Sequence, residues 1–128
     1  MSEWYFFQKC SQSFLDYFVD FVWRNIPGIE AFFLVDNLGK IKFRKVSNYF
    51  DEKNFQFIDE FISNISSQFD GVNSKNSQNN LKMIVNIFEK NTILTYPINE
   101  NNIMLIAVPN DTNYSDSVRF VSSLHQKS

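Results

Sequence analysis

Apolar and polar positions change period along this chain, and the changes mark its elements. From about residue 3 to 25 neither Pro nor Gly occurs, and Phe7, Cys10, Phe14, Phe18, Phe21 and Val22 recur at helical spacing. This stretch is therefore read as a helix, with a break near "SQS". In its second half Asp16, Asp20 and Arg24 form one narrow polar stripe, with Asp20 and Arg24 placed to pair four residues apart. Apolar side chains take up roughly two-thirds of the circumference, twice what one buried face requires, so the helix needs more than one neighbour. Pro27 disfavours helical geometry at Ile26 and Gly28 lets the backbone turn away, which ends the helix.

The period then changes to that of strands. "IEAFFLVDNLGKIKFRKV" reads as two strands joined by Asp36 to Gly39, with Asp and Asn favouring the turn and Gly supplying the positive φ of a bulged hairpin. Ala31 to Val35 is apolar on both faces, as in a strand covered from both sides. In the next strand Ile41 and Phe43 are expected to face one way and Lys40, Lys42 and Arg44 the other, the pattern of an edge wetted on one face.

Helical spacing returns from Asn54 to Phe69, where Ile58, Phe61, Ile62, Ile65 and Phe69 line one side and Phe55 and Phe57 widen the arc. "DGVNSKNSQNN", residues 70 to 80, has no period and is read as a loop. "LKMIVNIFE", "TILTYPI" and "NIMLIAVP" are β-branched and apolar runs separated by turn-like "KN" and "NENN", which predicts a three-strand meander. Asn113 or Ser115 can cap a last helix whose inward side is Val118, Val121 and Leu124. The order helix, two strands, helix, three strands, helix points to an α/β protein of the α+β type: a five-stranded antiparallel sheet flanked by three helices.

Composition narrows the function. A chain of 128 residues is expected to form a single domain, 1–128, and 44% hydrophobic residues with 15 Phe supply ample core. A formal charge of -2 removes the global electrostatic case for a nucleic-acid binder. Cys10 is the only cysteine, which excludes an internal disulfide and fits a small core residue in a reducing compartment. "MSEWYFFQKC" lacks the basic start and apolar run of a secretory signal, and Asp16 and Asp20 interrupt the greasiest helix, so a cytoplasmic protein without a transmembrane segment is expected.

Candidate chemistry is sparse. None of the three Gly sits in a phosphate-binding loop, and His125, the single histidine, lies near the end among Ser and Gln, where it suits a solvated helix terminus. Asp36 is explained by its turn, and Asp59 and Glu60 by the polar side of their helix. No catalytic, cofactor or metal site is expected. The cluster Lys40, Lys42, Arg44 and Lys45 either guards a strand edge or forms a basic edge for phosphates, an acidic partner or an anionic membrane. Phe57 and Phe61 either complete the core or belong to an intermolecular seam.

The phrase "IPGIEAFFLVDNLGKI" after an amphipathic helix, together with the element order, resembles the roadblock family, which includes dynein light chains, Ragulator subunits and bacterial partners of Ras-like GTPases. Ala31 stands where that family commonly has Gly, and the loop at 70 to 80 is longer than usual. The resemblance implies a sheet with the apolar first strand at its buried centre. It also implies dimerisation through the third strand and the middle helix, with Phe57, Phe61, Asn64, Met83, Val85 and Ile87 at the interface. It further implies a non-catalytic scaffold or regulatory subunit, as homodimer or heterodimer with another roadblock protein, that binds a small GTPase and reaches membranes through its partners. Longin, profilin and PAS-like domains build similar sheets. A longin-like trafficking module and a PAS-like ligand sensor are therefore the rival readings.

Overall fold

The computed structural model describes residues 12–36, 38–48, 50, 59–65, 67–69, 81–99, 101–110 and 114–126. Along them run α1 (Gln12–Asn25), β1 (Ala31–Asp36), β2 (Ile41–Val46), α2 (helical residues 59–65 and 67–69), β3 (Ile84–Ile87), β4 (Asn91–Asn99), β5 (Asn102–Pro109) and α3 (Tyr114–Gln126). The expected helical residues 3–11 and 54–58, with Cys10, Phe55 and Phe57, the loop at 70–80, and the cap candidate Asn113 lie outside the described residues.

All five strands join one antiparallel sheet in the order β2-β1-β5-β4-β3. The centre is β5, with β1 one strand away. The resemblance had implied β1 at the centre, but β1 opens a hairpin and so has β2 on its other side. Strands β1 and β5 pair from Ala31 opposite Ala107 to Asp36 opposite Asn102, and neither strand has a wet face between its ends. That is why both read as unbroken apolar runs.

Alternation along these strands feeds two cores. Phe32, Leu34, Met104 and Ile106 face α1 and α3, meeting Phe18, Val22, Val121 and Leu124. Ala31, Phe33, Leu105 and Ala107 face α2, meeting Ile62, Ile65 and Phe69. The wide apolar arc of α1 has its second neighbour in α3, where the Phe21 and Phe120 rings lie 5.7 Å apart. Asp20 and Arg24 are joined otherwise than expected: Arg24 Nε donates to the Asp20 carbonyl at 3.3 Å, while Lys45 approaches the Asp20 carboxylate from β2.

The β1–β2 turn shows why an Asp and a Gly stand there. Asp36 Oδ1 accepts from the N–H groups of Leu38 at 2.9 Å and Lys40 at 2.8 Å, and Gly39 takes φ +85°, which side-chain-bearing residues rarely adopt. The hairpin is bulged, with an effect that alternation alone did not foresee. Leu34 pairs with Phe43 but Val35 pairs with Ile41, so Lys42 has no opposite number. The extra residue reverses parity across the bulge. Ile41 therefore packs on the α2 core and Phe43 on the α1/α3 core, instead of both facing one way.

Phe33 is 1% exposed, with its ring edge-on to Phe50 at 6.1 Å. Phe33→Ala is expected to cost about 3–5 kcal/mol in urea unfolding, from lost burial and the cavity left behind. The Asp36 carboxyl is held below its ordinary value of 3.8, first by the Lys40 backbone N–H, which desolvation partly opposes, and then by the Leu38 N–H and the charges of Lys42 and Lys40. A depressed folded-state value means that this stabilisation is present above the unfolded value and lost as pH falls through the folded one. NMR titration is expected to place the Asp36 midpoint below 3.8, and the stability gap to Asp36→Asn should narrow over that acid range.

Candidate partner-binding surface

A five-stranded open sheet has two edges, and here they are built differently. The β2 edge carries Lys40, Lys42 and Arg44, all exposed, as well as the bulge at Lys42. Charge and a bulge are the usual defences against a second chain adding to an edge. Lys42 Nζ also donates to Asn102 Oδ1 at 2.7 Å, and Lys45 Nζ lies 3.3 Å from Asp20 Oδ1 and 4.7 Å from the centre of the Trp23 ring. The four basic residues thus do not share one face. Arg44, opposite Phe33, is on the α2 side, whereas Lys45, opposite Phe32, is on the α1/α3 side and committed to α1.

The β3 edge has no such defence among the described residues. It is four residues long, without charge, Pro or bulge, and pairs with β4 in unbroken register from Ile84 opposite Thr95 to Ile87 opposite Thr92. Val85 and Ile87 are 38% and 63% exposed, large apolar side chains at an open backbone edge.

Several contacts hold this short strand in place. Phe88 N–H donates to the Asn91 carbonyl at 2.7 Å to close the hairpin. Asn110 Nδ2 donates to the carbonyls of Phe88 at 2.6 Å and Glu89 at 3.0 Å, while its Oδ1 accepts from Thr92 Oγ1 at 2.7 Å. Phe61 of α2 meets Phe88 edge-to-face at 5.5 Å. Neither Asn110 nor its hold on the hairpin was legible beforehand, because the bonds span about twenty residues and follow no short-range pattern.

The expected interface residues fall on two sides of this edge. Phe61, 9% exposed, and the exposed Asn64 lie with α2; Phe61 belongs to the core of a single copy. Val85 and Ile87, opposite Leu94 and Thr92, face the α1/α3 side, and Met83 packs on that side's core. Phe57 lies outside the described residues. Asn86, absent from the expected set, is on the α2 side opposite Ile93, and its Oδ1 is buried without a hydrogen-bond partner. Such an orphan costs roughly 1–3 kcal/mol. The signal for it in "LKMIVNIFE" was a lone amide among apolar residues. Thr95 Oγ1 and Ser117 Oγ are also buried without a partner, but lie inside the sheet and on α3 rather than at an edge.

No group of three metal-ligating side chains occurs among the described residues, and no described helix is long and apolar enough to cross a membrane. No protein-family model and no curated protein sequence matches the chain. Solved structures do. The gliding protein MglB of Thermus thermophilus superposes with TM-score 0.62 at 10% identity, over 84% of this chain and 76% of that one. A Roadblock/LC7 domain from Streptomyces avermitilis gives 0.60 at 7% identity, over 82% and 86%.

The chain has the roadblock fold. MglC of Myxococcus xanthus shares that fold, with TM-score 0.58 at 13% identity, over 84% of this chain and 90% of that one. At such identities the likeness resides in the backbone path. Within this fold the strands at the two edges of the sheet are β2 and β3.

If Asn110 holds the hairpin that carries β3, Asn110→Ala should loosen it locally. Amide exchange at Phe88 is expected to speed by roughly tenfold, equivalent to about 1.4 kcal/mol, with little change at Leu105 in β5.

Proposed function

We propose that this chain is a non-catalytic, dimerising subunit of the roadblock type, which presents a preformed surface to a Ras-like small GTPase or joins another roadblock-domain protein. The observation that carries the reading is the contrast between the sheet's edges, β2 charged and bulged, β3 apolar and open. A strand left in that state invites pairing with another chain. The seam would run along β3, with Val85 and Ile87 on one face of the sheet and the Asn64 flank of α2 on the other.

The likeness in backbone path to MglB and MglC supports the reading, as does the roadblock-like phrase after α1. The GTPase as partner rests on that family resemblance. Such a subunit acts by binding one conformational or nucleotide state of its partner better than another, and contributes no reacting group itself. It would work in the cytoplasm and reach a membrane through its partners. The basic edge of Lys40, Lys42 and Arg44 is then a secondary contact for an acidic partner, with Lys45 turned towards α1.

Light scattering tests the seam. The purified chain is expected to weigh twice its 15.1 kDa, or to do so as a one-to-one complex with a second roadblock-domain protein. Val85→Lys with Ile87→Lys should return it to a monomer, whereas Lys42→Glu on the opposite edge should leave the dimer intact. A wild-type chain that stays monomeric alone and with candidate roadblock partners would sink the proposal. Titration of the dimer with a small GTPase carrying GDP or a GTP analogue should show at least a fivefold preference for one state, about 1 kcal/mol of coupling.

A further inference from the structure

The backbone of β3 restricts how a second copy can join it. Phe88 N–H points to β4, so by strand alternation Asn86 and Ile84 also turn their backbone groups to β4, and Val85 and Ile87 turn theirs to the open edge. Two copies of one strand related by a twofold axis pair antiparallel. Hydrogen-bonded and non-hydrogen-bonded pairs alternate along such a ladder, so the axis cannot fall between two successive pairs, which are unlike. One residue must therefore stand opposite its own copy.

Within β3 the central candidates are Val85, Asn86 and Ile87. With Val85 on the axis, Asn86 would face Ile84 of the second copy; with Ile87 there, it would face Phe88. Both arrangements set the Asn86 side chain against an apolar residue and leave its Oδ1, buried and unpartnered in a single copy, still unsatisfied. With Asn86 itself on the axis, the two amides meet in a non-hydrogen-bonded pair, the type in which opposed side chains come closest. Turned out of the position in which its own chain buries Oδ1, each amide can then accept at Oδ1 from the other's Nδ2–H. On the other face Val85 lies opposite Ile87 of the second copy, twice over, so the most exposed apolar side chains of the strand cover one another.

We propose that Asn86 sets the register of a self-paired β3 seam, its side-chain amide exchanging hydrogen bonds with Asn86 of a second copy across the twofold axis. This rests on the dimer reading above, in its homodimeric form. A lone polar group at a symmetric apolar seam selects one register, since every other leaves it unsatisfied.

Cysteine scanning tests it. In a Cys10→Ser background, Ile84→Cys, Val85→Cys, Asn86→Cys and Ile87→Cys are each oxidised mildly and run on a non-reducing gel. Circular dichroism of the reduced proteins confirms that each is folded. Only a residue opposite its own copy brings two Cβ atoms within disulfide reach. The expected result is a crosslinked dimer for Asn86→Cys alone. Crosslinking at 84, 85 or 87 instead, or a wild-type dimer with no crosslink at any of the four, overturns the Asn86 register while leaving a dimer in place. A wild-type chain monomeric by light scattering overturns self-pairing altogether, yet leaves pairing with a different roadblock-domain protein standing. As a second readout, Asn86→Asp should weaken the dimer at least tenfold at pH 7, by opposing two carboxylates on the axis, and Asn86→Asp that dimerises as tightly as wild type counts against the proposal.

Discussion

The ladder between β1 and β5 is the constraint on which the rest depends. Its six register pairs join residues 31–36 to residues 102–107, and helices cover both its faces. No water reaches the peptide groups between the strand ends, so each must find its partner in the neighbouring strand. Closing a loop of some seventy residues carries an entropic cost that grows slowly with length, and it is offset here because both strands bury side chains on both faces. Once this seam is made, the hairpin partner of β1 and the meander partners of β5 have no place except outside it.

From that arrangement follows the division of the molecule into unlike halves. On one side of the ladder lies β2, whose bulge at Lys42 divides Ile41 and Phe43 between the two cores. On the other lies β3, short and regular, held by β4, by the Asn110 amide and by the Phe61–Phe88 contact. A bulged, lysine-bearing strand resists extension of the sheet more than a regular apolar one does. Among the described residues, the sheet therefore has one charged, bulged end and one apolar, regular end.

The helices reinforce this polarity. With α1 and α3 side by side on one face, joined at Phe21 and Phe120, and α2 on the other, the sheet is a stiff layer whose β3 margin is positioned from both sides. A margin held in this way would lose little freedom on docking a partner of the kind proposed above. The buried oxygen of Asn86 adds selectivity, because an apolar strand alone would tolerate slippage.

Local signals in the sequence were enough for the elements that fall within the described residues. The two-faced apolar run Ala31–Val35, the Asp36–Gly39 turn, the period of Phe61, Ile62, Ile65 and Phe69, and the meander from residue 81 each depend on neighbours a few residues away, and each is present. The strand order, the central place of β5, the parity change in β2, the pairing of Asp20 with Lys45 and the clamp by Asn110 are features of the tertiary structure. Part of the candidate surface was legible, namely Val85 and Ile87 as apolar residues on a strand that needs cover. That Asn86 carries a buried, unpartnered oxygen on an edge strand could be seen only with the sheet assembled. Periodicity records which side of its own element a residue occupies; which other element meets that side is decided by contacts between distant segments, where the free energy belongs to the pair and neither sequence stretch contains it alone.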